Sequence, residues 1–150
     1  MSFEKLNVLG LMSGTSMDGI DCSLLETNGI TFKRSNKNLL FPYKNQTLLL
    51  LHNIVNQKYF KLKVKDKILL EKWITEDHAN AVKEFQNHFN CKLNLIGFHG
   101  QTIFHDPQNF VSIQIGNGNK LAELTATNVV SDFRKNDMEN NGQGAPLAPI

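Results

Sequence analysis

The stretch Leu6-Asn7-Val8-Leu9-Gly10-Leu11-Met12-Ser13-Gly14-Thr15-Ser16-Met17-Asp18-Gly19-Ile20-Asp21-Cys22-Ser23-Leu24 decides how the chain begins to fold. Leu6 to Met12 is a short apolar run that ends in small polar residues, the pattern of a buried strand entering a tight turn. Ile20 to Thr27 then sets Ile20, Cys22 and Leu24 on one face at period two, a second strand. Asn28-Gly29 is a strong hairpin signal and leads into a third strand over Ile30 to Arg34. The chain is therefore predicted to open as a three-stranded antiparallel meander.

Beyond Pro42 the apolar spacing becomes helical. Leu48, Leu51 and Val55 share one side of a helix that begins near Asn45 and ends at Asn56-Gln57-Lys58. A longer helix, from about Asp66 to Phe89, carries Leu70, Ile74, Ala81, Phe85 and Phe89 as a stripe that can cover one face of a sheet, with His78 on the same stripe. Strands are expected at Leu93 to Phe98, Phe110 to Ile115 and Asn128 to Phe133, with a short helix near Lys120 to Thr125. A meander followed by strands alternating with helices predicts an α/β fold. Its sheet is mixed, with flanking helices, an antiparallel edge and a parallel centre, the ribonuclease-H-like plan. From Asn140 to Ile150 the sequence is rich in turn formers and offers no element that closes a domain.

The chain has 150 residues, 41% hydrophobic and 20% charged, the range of folded globular domains and far from that of disordered chains. A net charge of +2, with no basic stripe, argues against nucleic acid as a partner. The tightest basic cluster, Lys58, Lys61, Lys63, Lys65 and Lys67, reads as a solvated connection between the two helices, with a phosphate or partner patch as the sharper alternative. Cys22 and Cys91 match no CxxC or zinc spacing and read as reduced, buried thiols, which together with the absence of a leader or an apolar span at the N-terminus points to a cytoplasmic protein without membrane contact.

Three segments could carry chemistry. In the first, Gly14 and Gly19 leave backbone N–H groups uncovered, Ser13, Thr15 and Ser16 supply hydroxyls around Met17, and Asp18 offers a carboxylate for hydrated Mg²⁺; together they form a workable cradle for ATP phosphates. It is not a Walker loop, since no Lys-Ser/Thr ending and no helix follows. Gly14-Thr15-Ser16-Met17-Asp18 also approaches the GxSxG elbow of serine hydrolases, with His99 and His105 as candidate bases, but Asp18 replaces the final glycine and a strand follows where a helix should. A polar β-turn of purely conformational origin is the plain alternative.

The second segment, Gly97-Phe98-His99-Gly100-Gln101-Thr102-Ile103-Phe104-His105-Asp106-Pro107, reads as a loop after a buried strand, where open α/β sheets collect ligands. His99, Gln101 and Thr102 present the mixed donors and acceptors that sugar hydroxyls require. His78, alone on an apolar helical face, reads as a packed core histidine. In the third segment, Asp132, Arg134 and Asp137 follow another strand. Arg134 could clamp an anion bidentately and the carboxylates could bind hydroxyls, or Arg134 and Asp137 could simply pair at a surface turn.

Taken together, Gly10-Leu11-Met12-Ser13-Gly14-Thr15-Ser16-Met17-Asp18-Gly19, His99-Gly100-Gln101-Thr102, Gln114-Ile115-Gly116 and Asp132-Phe133-Arg134 through Gly142-Gln143-Gly144-Ala145-Pro146-Leu147 resemble, in order and spacing, the anhydro-N-acetylmuramic acid kinase family. The resemblance implies the first lobe of the actin/hexokinase, or sugar kinase, superfold, with residues 1–150 as an N-terminal lobe and the C-terminal lobe absent. It implies ATP and Mg²⁺ as cofactors, 1,6-anhydro-N-acetylmuramic acid, an amino sugar, as substrate, a place in peptidoglycan recycling, and a homodimer for the full-length protein. By the same resemblance Ser13, Gly14, Thr15, Ser16, Met17, Asp18 and Gly19 bind the cofactor. His99, Gly100, Gln101, Thr102, Asp132, Arg134 and Asp137 shape the sugar side. The family's general base belongs to an Asp-Thr-Gly-Pro turn expected beyond Ile150, so these residues alone are expected to be a kinase without activity, or alternatively a non-catalytic remnant or binding module on the same fold. Two departures from the family pattern stand out: Asn117, where an acidic residue is usual, and the asparagine-rich Met138 to Asn141.

Overall fold

In a computed structural model that describes residues 4–57, 63–106, 109, 111–140, 142 and 144, alternating burial is what turns the opening segments into strands. In β1, Leu6–Ser13, the odd positions Leu9, Leu11 and Ser13 are buried and the even ones face away. β2, Ile20–Thr27, buries Ile20, Cys22 and Leu24. β3 is longer than its apolar content suggests, Phe32–Phe41. The Asn28 carboxamide accepts from the backbone N–H groups of Ile30 and Thr31 and so completes the hairpin turn before the strand resumes.

The helices α1, Asn45–Gln57, and α2, Val64–Phe89, follow. The α1 N-terminus is capped from α2: the buried Asp77 carboxylate accepts from the Lys44 N–H at 3.2 Å and from the Thr47 hydroxyl at 2.7 Å. Leu70, Ile74, His78, Ala81 and Phe85 are buried along the predicted stripe of α2. That helix stops at Asn90, which takes a left-handed φ of 44° while Cys91 N–H reaches back to the Gln86 carbonyl. Then come β4, Leu95–Asp106, β5, Val111–Ile115, α3, Gly118–Thr125, β6, Asn128–Val130, and α4, Phe133–Glu139.

The sheet order is β3-β2-β1-β4-β5, with β6 also paired to β4. β1 runs antiparallel to β2 and parallel to β4, and β4 is parallel to β6 over its first half and antiparallel to β5 over its second. This is the mixed α/β sheet of the ribonuclease-H-like plan, with α1 and α2 covering one face. On that face Leu9, Leu11, Ile20, Leu51, Ile74, Phe85, Ile96 and Phe98 form one continuous core, each fully buried large side chain contributing about 1.5–3 kcal/mol. The other face carries the even residues of β1 and their neighbours, and Met12, Leu40 and Val130 there stay 43%, 53% and 45% exposed.

Several sequence expectations shift. β4 does not end at Phe98 but continues through the segment read as a loop, because a bulge absorbs its polar residues. β6 stops at Val130, and the stretch read as strand end and loop becomes α4. Cys22 is buried, its thiol pushed up to about 12 by burial first and by Asp21 second, while Cys91 is half-buried, not fully buried. The lysine-rich connection divides: Lys65 and Lys67 lie in the first turn of α2, and 58–62 fall outside the described residues, as do the Val55 side chain, Pro107, Phe110 and most of 141–150. Among the described residues no helix is long and apolar enough to cross a membrane.

Asn117 caps α3: its side-chain oxygen accepts from Lys120 N–H at 2.9 Å, a bond that an aspartate would also make. In urea unfolding Asn117→Ala is expected to cost about 1 kcal/mol and Asn117→Asp close to nothing; equal losses in the two variants would show that the cap is not what the side chain supplies.

Candidate functional site

The β1–β2 connection is shaped by its own backbone and by what lies beneath it. Gly14 carbonyl accepts from Met17 N–H at 3.2 Å, closing a turn. Met17 takes a positive φ of 56°, unusual for a side chain of its size, and its burial in the core holds it there. Thr15, Ser16 and Asp18 stand exposed at the tip, with Ser16 Oγ donating to Asp18 Oδ1 at 2.8 Å. Gly19 lies so close to β3 that a Cβ would sit 2.6 Å from the Phe41 carbonyl, so only glycine lets the two strands meet there.

A bulge in β4 organises the floor of the site. Leu11 pairs with Phe98 and Ser13 with Gln101, so β4 carries one residue more than β1 across the same span. Gly100 takes up the irregularity with a φ of 76°, and a Cβ there would press 3.0 Å from the Ile115 carbonyl. The extra residue turns Gln101 under the hairpin. Its Nε2 donates to Gly14 O at 2.7 Å and Thr102 O at 2.9 Å, while Oε1 accepts from Tyr43 Oη at 2.8 Å. Gln101 and Thr102 are both buried; Thr102 sits opposite Gln114 of β5.

Ser13 and His78 complete the buried polar cluster. His78 Nδ1 lies 2.8 Å from Ile74 O, and because a carbonyl only accepts, Nδ1 carries the proton and Nε2 is an acceptor. Ser13 Oγ is 3.2 Å from that Nε2 and 3.1 Å from Gly100 O. Both partners only accept, so the single Ser13 hydroxyl proton is shared between His78 Nε2 and Gly100 O, and Gly100 O also receives His99 Nδ1–H at 3.2 Å. Burial between Tyr43 and Phe98 keeps His78 neutral and lowers its pKa from 6.5 to about 4, only partly offset by the Ile74 bond and Asp77.

The other side of the bulge faces α4. With Nδ1–H given to Gly100, His99 Nε2 accepts from Arg134 Nε–H at 2.8 Å. The pKa of His99 is lowered by burial first, raised by the Gly100 bond and lowered again by the Arg134 cation, so it is a neutral ring that orients a guanidinium. His99, Gly100, Asp132 and Arg134 line one small cleft of about 50 Å³ together with Gln114 and Ser131. Next to it, Gln114 and Asp132 also line a wider open groove of about 500 Å³ against Lys135 and Met138. Asp132 begins α4 with a positive φ of 63°. Asp137 stands apart from the cleft lining and does not pair with Arg134; its Oδ2 accepts from Gly144 N–H at 2.7 Å and its backbone O from Gly142 N–H at 2.8 Å, which folds the following loop back on α4.

All three sequence segments therefore gather at one end of the sheet, at or just beyond the carboxyl ends of the parallel strands or strand halves of β1, β4 and β6, where open α/β sheets bind ligands. Tyr43 was not legible as a member of this site; its only sequence signal is a hydroxyl-bearing aromatic between a strand and a helix start. The hydrolase alternative finds no support in the hydrogen bonds, since Ser16 is held by Asp18, His99 by Arg134 and Gly100, and His105 by Ser112 Oγ. Among the described residues no group of three or more His, Cys, Asp or Glu could hold a metal ion. The exposed Asp18 carboxylate beside two hydroxyls fits a different arrangement, an Mg²⁺ ion that keeps most of its waters and rests on phosphate oxygens.

A family model for anhydro-N-acetylmuramic acid kinase matches residues 6–150. The chain belongs to the anhydro-N-acetylmuramic acid kinase family. Proteins named anhydro-N-acetylmuramic acid kinase from Pelagibacter ubique and Agrobacterium fabrum are 43% and 41% identical to it, over 95% and 97% of this chain but 39% and 41% of their own lengths. One from Gluconobacter oxydans is 38% identical over 95% of this chain and 40% of its own length. The chain thus spans about two-fifths of the length of these kinase-family relatives.

The burial of His78 gives this family member a measurable pH dependence. Its folded pKa lies below its unfolded value, so the stabilisation from keeping it neutral is complete above about pH 6.5 and is lost as pH falls toward about 4. The stability advantage of the native protein over His78→Phe should shrink by about 3 kcal/mol across that window; parallel pH profiles for the two would contradict a buried neutral histidine.

Proposed function

We propose that these residues form the nucleotide-phosphate and sugar-binding wall of an ATP-dependent sugar kinase that acts on 1,6-anhydro-N-acetylmuramic acid. The observation that carries this reading is the convergence of the hairpin 13–19, the β4 bulge and the start of α4 at one sheet end, in a chain of this family. The hairpin takes the ATP phosphates through backbone N–H groups and the Thr15 and Ser16 hydroxyls. Asp18 holds the hydration shell of Mg²⁺, which when bound neutralises phosphate charge. Arg134, oriented by His99, and Asp132 face the sugar from the adjoining cleft. Gln101 and Thr102, buried as they are, serve that wall from within.

In the overall reaction water adds to the anomeric carbon of the anhydro bridge, the bond from that carbon to O6 breaks, and O6 takes the γ-phosphoryl group, leaving ADP and N-acetylmuramic acid 6-phosphate. On this reading the residues described here bind and orient: Asp132, the carboxylate that lines the cleft, accepts from Ser131 Oγ at 3.2 Å and is taken as a sugar-hydroxyl partner, not as the base for the attacking water. Phosphoryl transfer depends on positioning and electrostatic stabilisation from both sides of a cleft, so one wall supplies little of either. The exposed Val130, on a strand parallel to β4, fits the same reading, because parallel sheets are normally covered on both faces.

The test is ATP-dependent phosphorylation of the anhydro sugar by the full gene product and by the 150-residue chain. Activity is expected only in the first, and Asp18→Asn in that protein should lower kcat/KM roughly 10–100-fold. Full activity of the short chain would show that the base lies within these residues, and none in either would point to a binding module that kept the fold.

A further inference from the structure

Gln101 lies on the segment that sequence reasoning assigns to the sugar, yet its amide points the other way. We propose that Gln101, held by Tyr43, is the positioning residue that sets the Gly14–Gly19 hairpin in the conformation that receives phosphate. This inference rests on the kinase reading of the hairpin and adds to it the part that fixes its shape.

The orientation of the amide is not free. Oε1 must face the only donor in the set, Tyr43 Oη at 2.8 Å, which turns Nε2 toward two acceptors, Gly14 O at 2.7 Å and Thr102 O at 2.9 Å. Gln101 is fully buried and Tyr43 nearly so, so water does not compete for these bonds. The bulge at His99 and Gly100 is what brings the side chain beneath the loop.

The consequence follows from peptide geometry. In a planar trans peptide the carbonyl and the N–H point in opposite directions. With the Gly14 carbonyl drawn inward by Gln101, the N–H of the same peptide unit, that of Thr15, is turned outward beside the exposed hydroxyls of Thr15 and Ser16. Glycine at position 14 makes rotation of this unit easy, so something outside the loop must choose its orientation. The turn bond from Met17 N–H to the same carbonyl is too local to do so. Gln101 is the tether that reaches the loop from another strand.

The decisive comparison uses Gln101→Met, Tyr43→Phe and Val82→Ala, the last a truncation of a buried apolar side chain of α2 that makes no hydrogen bond to the hairpin, all in the full gene product. Gln101→Met is expected to raise the ATP KM about tenfold with the sugar KM changed less than about twofold, and to speed hydrogen exchange at the Met17 amide about tenfold. Tyr43→Phe should shift both in the same direction by less. Val82→Ala should lower the thermal midpoint without either effect. If Gln101→Met behaves like Val82→Ala, with lost stability but unchanged ATP KM and unchanged Met17 exchange, the proposal is wrong. If the unaltered protein phosphorylates no sugar, the kinase reading fails by itself, and Met17 exchange still decides whether Gln101 sets the loop.

Discussion

The parallel pairing of β1 with β4, and the single extra residue that β4 carries at His99 and Gly100, is the constraint on which the rest of the site depends. Without the bulge, side chains beyond Phe98 would keep strict alternation, and His99 and Gln101 would share the face opposite Phe98. With it, Gln101 turns inward beneath the hairpin while His99 turns toward Arg134. The Gly100 carbonyl lies between the two halves, 3.1 Å from Ser13 Oγ and 3.2 Å from His99 Nδ1. The residues proposed for phosphate and for sugar thus share one backbone irregularity, and a glycine with a left-handed φ makes it possible.

The buried polar cluster beneath the hairpin is costly unless every member is paired, and here the pairing is close to complete. Ser13, His78, Tyr43 and Gln101 hold one another and three backbone carbonyls, so the loop above rests on a rigid base while its tip stays in water. Asp77 does a related job one residue earlier on α2, fixing the start of α1 and with it the segment that carries Tyr43. α2 therefore reaches the site twice, through two adjacent side chains, without lining the cleft.

Much of the scaffold was legible in the sequence because it follows from period and turn chemistry. Ile20, Cys22 and Leu24 marked β2, Asn28-Gly29 its turn, and the Leu70 to Phe85 stripe the buried face of α2. β4 was cut short because His99, Gly100, Gln101 and Thr102 look like a loop; polar residues in a strand are indistinguishable from loop residues when their partners come from distant segments. α4 was missed for a local reason: although Asp132 is a usual N-cap residue, the seven residues Phe133–Glu139 carry only Phe133 and Met138 as apolar side chains, too few to show a helical period. The three site segments were legible as segments, but whether a given side chain faces a ligand or the protein was not, and Gln101 is the clearest case. Asp137 is another, since its partner Gly144 lies seven residues on and leaves no periodic trace.

The most direct measurement is a backbone amide map of the isotopically labelled full gene product, titrated first with ATP and Mg²⁺ and then with the anhydro sugar. The convergence of the three segments requires that the nucleotide move the amides of residues 13–19 first, with Thr15 foremost, and that the sugar move those of His99, Gly100 and 131–134. Nucleotide-induced shifts confined to a distant surface, such as the groove formed by Lys83, Asn87 and Lys92 at the far end of α2, would contradict the account.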